Sequence, residues 1–121
     1  MSSFILVADD SKQWRELLSK ILSGASYQVV EAESGERAVE VARAASPDLV
    51  LLDLNMPHLS GLDTAGRLRA IPGLELVPIL LLSDDELDGD CDSAPAPNID
   101  GYVRKKDIPD RLLDCISLHL K

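Results

Sequence analysis

The 121-residue chain has little of what marks several large classes of protein. It has two cysteines, Cys91 and Cys115, too few for a disulfide framework, so we expect free thiols in a reducing cytoplasm. Its longest purely apolar runs, at residues 49–52 and 77–82, are far shorter than the ~20 residues that cross a bilayer. The first residues lack the basic and long apolar regions of a signal peptide. These features argue against secreted, disulfide-rich and membrane-spanning proteins.

Positive charge is also scarce. The chain carries 12 Lys and Arg residues against 21 Asp and Glu residues, which gives a formal net charge of −9. This balance argues against direct nucleic-acid binding, which needs a basic surface. Six of the acids lie within residues 84–92, a stretch without Lys or Arg. This acidic run is either a solvated loop or a docking surface for a basic partner.

The remaining composition is that of one globular domain. Hydrophobic residues make up 45% of the chain and charged residues 27%, as is usual for a folded protein of this length. We therefore expect a single domain over residues 1–121, with a core that needs neither a disulfide nor a structural metal.

Short apolar runs alternate with amphipathic stretches along this domain. The runs predict strands at residues 4–8, 27–32, 49–52, 79–82 and 102–103. Apolar residues recur at helical spacing between most of these runs. Strands that alternate with helices predict an α/β fold in which a doubly wound, five-stranded parallel sheet carries helices on both faces.

Individual residues mark the helix ends and faces. Ser11 (or Asp10) and Ser34 are placed to cap the first two helices, and Pro109 suits the first turn of the last one. The apolar spacing turns Leu17 and Leu62 toward the core.

Residues 84–98, here called the 84–98 segment, interrupt the alternation. A helix is expected between the fourth and fifth strands, but the segment contains Gly89, Pro95 and Pro97 besides its six acids. Glycine, proline and neighbouring like charges all disfavour a helix, so we expect an irregular and mobile segment.

Polar residues follow the predicted strands where each strand ends. Asp9 and Asp10 follow the first strand, Asp53 the third and Ser83 the fourth, while Lys105 follows the fifth. In a parallel sheet these ends meet at one edge, where sites form in this class of fold. Three carboxylates repel one another unless a cation lies among them, and oxygen ligands without Cys or His favour Mg²⁺ over Zn²⁺.

Carboxylate, lysine and hydroxyl groups beside Mg²⁺ are suited to handling a phosphoryl group. The carboxylate of Asp53 can act as the nucleophile and form an aspartyl phosphate. The metal ion and Lys105 would then neutralise charge on the phosphoryl oxygens.

With these features, the whole chain resembles the receiver domain of bacterial two-component response regulators. The resemblance rests on Asp9-Asp10, the block LLDLNMPHLSG at residues 51–61, Ser83, and the block GYVRK at residues 101–105. It implies a flavodoxin-like fold with strand order 2-1-3-4-5. It also implies a phosphoprotein that works in phosphorelay signal transduction.

The resemblance implies a role for each residue of the site. Asp53 would be the phospho-acceptor, and Lys105 would pair with the phosphoryl group. The implied Mg²⁺ ligands are Asp9, Asp10, Asp53 and the backbone carbonyl of Asn55.

Two further residues match the switch of the family, and two depart from its pattern. Ser83 would donate its hydroxyl to a phosphoryl oxygen, and Tyr102 would swing inward and couple the site to the output face. Asp84 stands where receivers usually have Ala or Gly, and Lys106 where they often have Pro.

A receiver is a signalling switch whose chemistry is limited to self-phosphotransfer and slow autodephosphorylation. The implied partners are a sensor histidine kinase or phosphotransfer protein and a downstream protein or output domain, without nucleic acid or membrane; homodimer formation stays open. One alternative is an atypical receiver that acts as a phosphorylation-weakened protein-interaction module. Another is a phosphatase with an aspartate nucleophile, which requires a second Asp where this chain has Asn55.

Three other residues have ordinary interpretations. Trp14 lies on the apolar stripe of the first helix and is expected in the core. His58 and His119 lack metal-ligand spacing and are expected at the surface.

Overall fold

The alternation of apolar and amphipathic stretches folds as alternating strands and helices. The computed structural model describes residues 3–120. The strands are β1 (Phe4–Ala8), β2 (Gln28–Ala32), β3 (Leu49–Asp53), β4 (Ile79–Ser83) and β5 (Gly101–Arg104). The helices are α1 (Lys12–Gly24), α2 (Gly35–Ala45), α3 (Gly61–Arg69) and α4 (Leu112–His119). Each predicted strand is present, with ends shifted by a residue or two.

All five strands pair in parallel in the order β2-β1-β3-β4-β5, as predicted. Every residue of β3 and β4 is buried, because helices cover both faces of the sheet. Alternate residues of a strand point to opposite faces, so Leu6 and Ala8 pack in one core with α2 and α3. Ile5 and Val7 pack in the other core with α1 and α4.

The helix starts follow the predicted caps in part. The side chains of Ser11 and Ser34 accept the backbone N–H groups of Trp14 and Arg37, which confirms both caps. The prediction for Pro109 is wrong, because a 3₁₀ turn (Lys105–Asp107) and a further turn precede α4, which begins only at Leu112.

Two residues of the predicted apolar faces also point outward. Leu17 and Leu62 are 40% and 41% exposed. The apolar stripes of α1 and α3 are wider than the contact of each helix with the sheet, so their flanks face solvent. Within residues 3–120, no helix combines the length and apolar character required to cross a membrane.

The 84–98 segment contains no helix, as predicted. It runs through turns and a single antiparallel bridge between Asp90 and Ser93. The backbone N–H of Tyr102 donates to the carbonyl of Asp90 at 2.8 Å, which ties the segment to β5. The expected mobility of the segment stays a prediction.

The expectation of two free thiols is wrong. Cys91 in the 84–98 segment and Cys115 in α4 form a disulfide, with their Cα atoms 5.1 Å apart. The two residues are 24 positions apart, and only the packing of the segment over α4 brings them together. The same packing half-buries His119, whose Nε2 lies 2.6 Å from the carbonyl oxygen of Cys91. His58 is exposed, as expected.

We predict that Gly101→Ala lowers the free energy of unfolding by about 1–3 kcal/mol, the usual range for overpacking a core. A Cβ at this position of β5 would overlap the carbonyl oxygen of Cys91 and lie 3.0 Å from Leu80 Cδ2. The matched control is Gly24→Ala, whose Cβ meets no atom of residues 3–120 within 4 Å. Urea denaturation measures both variants; equal stability of the two would contradict the prediction.

Candidate functional site

The carboxyl ends of β1, β3 and β5 bring three charged side chains together. Asp9 directly follows β1, Asp53 is the last residue of β3, and Lys105 directly follows β5. Asp9 is fully buried, and Asp53 and Lys105 are 4% and 7% exposed. Apolar strands pair on both sides of β3 and fix this edge, so the charged groups sit on a rigid support.

Lys105 bridges the two buried carboxylates. Its Nζ lies 2.9 Å from Asp9 Oδ2 and 3.4 Å from Asp53 Oδ1. The ammonium group also lies 4.9 Å from the centroid of the Trp14 ring, within the range of a cation–π contact. Trp14 is half-buried and packs against the core, as expected. Its contact with Lys105 also places the ring at the rim of the site.

Asp10 adds a third carboxylate at the exposed side of the cluster. One oxygen from each of Asp9, Asp10 and Asp53 can be chosen so that all three lie within 4.8 Å of one another. Three carboxylates face one lysine here, so the cluster has an excess of negative charge.

Burial and the charges of the cluster together shift the pKa of both Asp53 and Lys105. Burial, followed by the charge of Asp9, raises the pKa of Asp53 from 3.8 to about 6, although Lys105 and the Asn55 amide act in the opposite direction. Burial lowers the pKa of Lys105, but the contact with Asp9 and the charge of Asp53 outweigh it and leave that pKa raised. The site therefore holds its lysine charged and disfavours the ionised form of Asp53.

The donor set fits a hard divalent cation. Asp9 Oδ2 is buried, and Lys105 Nζ lies 2.9 Å from it. Because Lys105 also serves Asp53, one ammonium group leaves part of the carboxylate charge uncompensated, and a further cation would neutralise it. The ligand atoms available are all oxygens, as Mg²⁺ prefers.

Local backbone contacts orient the two carboxylates, and sequence reasoning missed them. The N–H of Ser11 donates to Asp9 Oδ1 at 2.9 Å, and the N–H of Asn55 donates to Asp53 Oδ1 at 3.3 Å. In both cases the donor lies two residues after the Asp, the spacing of an Asx turn, which the sequence could have indicated. Arg15 Nη1 also donates to the Asp9 carbonyl at 2.7 Å; nothing in the sequence indicated this contact.

Ser83 lies on β4, the neighbour of β3, and Tyr102 lies on β5, the neighbour of β4 at the edge of the sheet. Ser83 ends β4, is buried, and its hydroxyl accepts the N–H of Asp85 at 3.0 Å. Tyr102 of β5 is 4% exposed, and its hydroxyl donates to the carbonyl of Asp85. Burial raises the pKa of Tyr102, with Arg104 opposing the shift. Asp85 therefore connects the two residues that the resemblance assigned to the switch.

The site thus consists of an acidic cluster and a lysine at the carboxyl edge of a five-stranded parallel sheet of order 2-1-3-4-5. A profile of the response regulator receiver domain matches residues 5–117. The chain belongs to the response regulator receiver domain family.

Individual relatives agree with this assignment. The chain is 23% identical to the polar-differentiation response regulator DivK of Brucella ovis over 99% of this chain and 98% of DivK. It is 35% identical to the nitrate/nitrite response regulator protein NarL of Escherichia coli over 93% of this chain and 52% of NarL.

Solved structures are also similar. The chemotaxis protein CheY4 of Vibrio cholerae has a TM-score of 0.87 at 26% identity and covers 99% of this chain and 100% of its own. The receiver domain of a sensor histidine kinase from Pseudomonas aeruginosa, solved with magnesium in its active site cleft, has a TM-score of 0.88 at 23% identity over 99% and 98% of the two chains. One chain in the complex of histidine kinase ThkA with response regulator protein TrrA matches with a TM-score of 0.85 at 34% identity. The match covers 100% of this chain and 100% of that chain.

We predict that Asp53→Asn stabilises the metal-free protein at pH 7 by about 1–3 kcal/mol, since each unit of raised pKa corresponds to ~1.4 kcal/mol. The folded state binds a proton on Asp53 more tightly than the unfolded state does, so stability falls as pH rises from 3.8 to about 6. Asparagine has no carboxylate, so Asp53→Asn removes the buried negative charge that lowers the stability at pH 7.

Urea denaturation in the presence of a chelator measures the effect. The control is Asp88→Asn, the same chemical change at an exposed position of the 84–98 segment. A variant at Asp53 that is less stable than wild type would refute the electrostatic account.

Proposed function

We propose that this receiver domain is a phosphorylation-controlled switch that accepts a phosphoryl group on Asp53, and that residues 1–121 act as one domain. The observation that carries the proposal is the buried contact of Lys105 with both Asp9 and Asp53 beside the exposed carboxylate of Asp10. It joins a nucleophile, a charge-neutralising cation and a set of oxygen ligands in one place.

Asp9, Asp10, Asp53 and the backbone carbonyl of Asn55 would hold Mg²⁺, which supplies charge neutralisation at the phosphoryl oxygens. A carboxylate oxygen of Asp53 attacks phosphorus, and the bond from phosphorus to the donor breaks. Lys105 pairs with a phosphoryl oxygen, and this new contact takes the place of part of its present contact with the carboxylates of Asp9 and Asp53. Hydrolysis of the resulting acyl phosphate returns Asp53 to its starting state.

The switch would operate through Ser83 and Tyr102. The Ser83 hydroxyl now accepts the N–H of Asp85, and it would turn to donate to a phosphoryl oxygen. Asp85 would then lose its hydrogen bond to Ser83 and could shift. The carbonyl of Asp85 is the acceptor of the Tyr102 hydroxyl, so the position of that acceptor would shift as well. A charge change at Asp53 is thereby passed to β5 and the 84–98 segment, which is the local event a two-state switch requires.

The phosphoryl donor we propose is a sensor histidine kinase or a phosphotransfer protein in the cytoplasm. The complex of histidine kinase ThkA with response regulator protein TrrA, one chain of which is 34% identical to this chain, supports this class of partner. The signal would pass to a downstream protein or output domain, and the negative charge of the chain disfavours nucleic acid as a direct partner.

Two observations support a second candidate, an atypical receiver that acts mainly as a protein-interaction module. The 84–98 segment replaces the helix expected between β4 and β5, and Asp84 follows Ser83 at the site. Both features alter the path from the site to the output face.

The experiment that tests the main proposal incubates the protein with acetyl phosphate and Mg²⁺ and measures its intact mass. We expect the addition of one phosphoryl group to wild type, none to Asp53→Asn, and at least about a ten-fold slower reaction when a chelator removes the metal. Asp63→Asn, which changes an exposed acid of α3, is the matched control. Unmodified wild type would favour the interaction module, and modification of Asp53→Asn would place the acceptor elsewhere.

We predict that Asp84→Ala is phosphorylated about ten-fold faster than wild type. Asp84 is exposed directly after Ser83 and repels an incoming anion. At an effective dielectric of ~20–40, repulsion between the Asp84 carboxylate and the phosphoryl donor raises the activation free energy by on the order of 1–3 kcal/mol, and Lys105 offsets part of this. A change of ~1.4 kcal/mol in the activation free energy is a factor of ten in rate.

Rates with acetyl phosphate at fixed Mg²⁺ measure the effect, and the increase should shrink at high ionic strength. Asp88→Ala removes an equal charge farther along the same segment and should change the rate less than two-fold. An unchanged or slower Asp84→Ala would show that this carboxylate does not obstruct the site.

A further inference from the structure

The two cysteines of the chain connect the 84–98 segment to α4. Cys91 lies in the 84–98 segment and is 7% exposed, and Cys115 lies in α4 and is fully buried. Both pack in the core formed with α1 and α4, and their Cα separation of 5.1 Å suits a disulfide. The bond encloses β5 and Lys105 in a loop between the two residues.

Apart from the cysteine link, three polar contacts attach the middle of the 84–98 segment to the domain. The carbonyl of Asp90 accepts the N–H of Tyr102, the carbonyl of Cys91 contacts His119, and Glu86 pairs with Arg104 at 3.2 Å. Glu86 is largely exposed, and an exposed ion pair contributes at most about 1 kcal/mol. Hydrogen bonds of Asp85 and of the Asn98 carbonyl hold the two ends of the segment separately. The cysteine link therefore acts mainly on the middle of the segment.

We propose that Cys91 and Cys115 form a reversible redox site that fastens the 84–98 segment to α4 when oxidised and releases it when reduced. In the oxidation, the thiolate of one cysteine attacks a low-molecular-weight disulfide and expels one thiol. The second cysteine then attacks the mixed disulfide and expels the other thiol. The two cysteines lose two electrons and two protons, and the small disulfide gains them.

The surroundings of Cys91 support exchange at this sulfur. Arg111 Nη2 donates to Cys91 Sγ at 3.8 Å, and a guanidinium group stabilises the thiolate that exchange requires. Asp90 and Asp92 flank Cys91 and oppose this effect, which makes Arg111 the favourable charge at the sulfur. Local opening of the segment would expose both sulfurs, because the segment itself covers Cys115.

The redox state would set the shape of a groove beside the bond. A cavity of about 460 Å³ lies between the 84–98 segment, β5 and the turns that precede α4. Its lining includes Glu86, Asp90, Cys91, Arg104 and Arg111. Release of the segment removes one wall of this cavity and frees Asp85, whose carbonyl holds the Tyr102 hydroxyl.

The test equilibrates the protein in mixtures of reduced and oxidised glutathione and blocks free thiols with N-ethylmaleimide in denaturant, so that buried thiols also react, before intact-mass analysis. We expect a monomer that takes up two maleimides at the reducing end and none at the oxidising end. Hydrogen exchange of residues 86–93 should be at least about ten-fold slower in the oxidised protein. Cys91→Ala and Cys115→Ala are the matched controls: each takes up one maleimide at the reducing end, can bind at most one glutathione at the oxidising end, and lacks the slower exchange of the oxidised wild type.

Each other outcome overturns the proposal. Two maleimides in every mixture would show that the thiols do not pair, and disulfide-linked dimers would show that they pair between chains. No maleimide even in reduced glutathione would mean a permanent structural bond. Equal exchange in the two redox states of wild type would show that the bond does not fasten the segment, and this comparison does not depend on whether the alanine variants fold.

Discussion

The ion pair of Lys105 with the buried carboxylates of Asp9 and Asp53 is the constraint on which this structure depends. Removing two carboxylates from water is unfavourable, and one ammonium group compensates them only in part. The apolar strands β1 and β3 hold the two acids at one edge, so the stability of the core offsets the repulsion. The negative charge that remains uncompensated favours the binding of a cation and, with that cation in place, of a phosphoryl group.

The same sheet edge carries the connection from the site to the surface. Ser83 and Tyr102 both contact Asp85, through an N–H and a carbonyl respectively, so the first residues of the 84–98 segment lie between the site and β5. In this chain the segment is acidic and lacks a helix, and the disulfide from Cys91 to Cys115 attaches its middle to α4. The two proposals therefore concern the start and the middle of one segment, the start controlled by phosphorylation and the middle by oxidation.

Much of the fold and site could be predicted because the signals are local or follow from parallel topology. Short apolar runs identified β1 to β5, and serine caps identified the starts of α1 and α2. The expectation that Asp9, Asp53 and Lys105 meet required only a parallel sheet, since such strands end at the same edge. The missing helix in the 84–98 segment followed from its own prolines, glycine and like charges.

The amino-acid sequence by itself determined the order of the elements, the strand ends that carry charge, and the failure of one helix. Only the tertiary structure decided which apolar positions are buried, so Leu17 and Leu62 face solvent although helical spacing favours the core. It also decided that Trp14 lies over Lys105 and that Cys91 meets Cys115. Periodicity describes one element at a time, whereas such contacts depend on how two elements pack, and that is set by the sum of many weak contacts across the sheet.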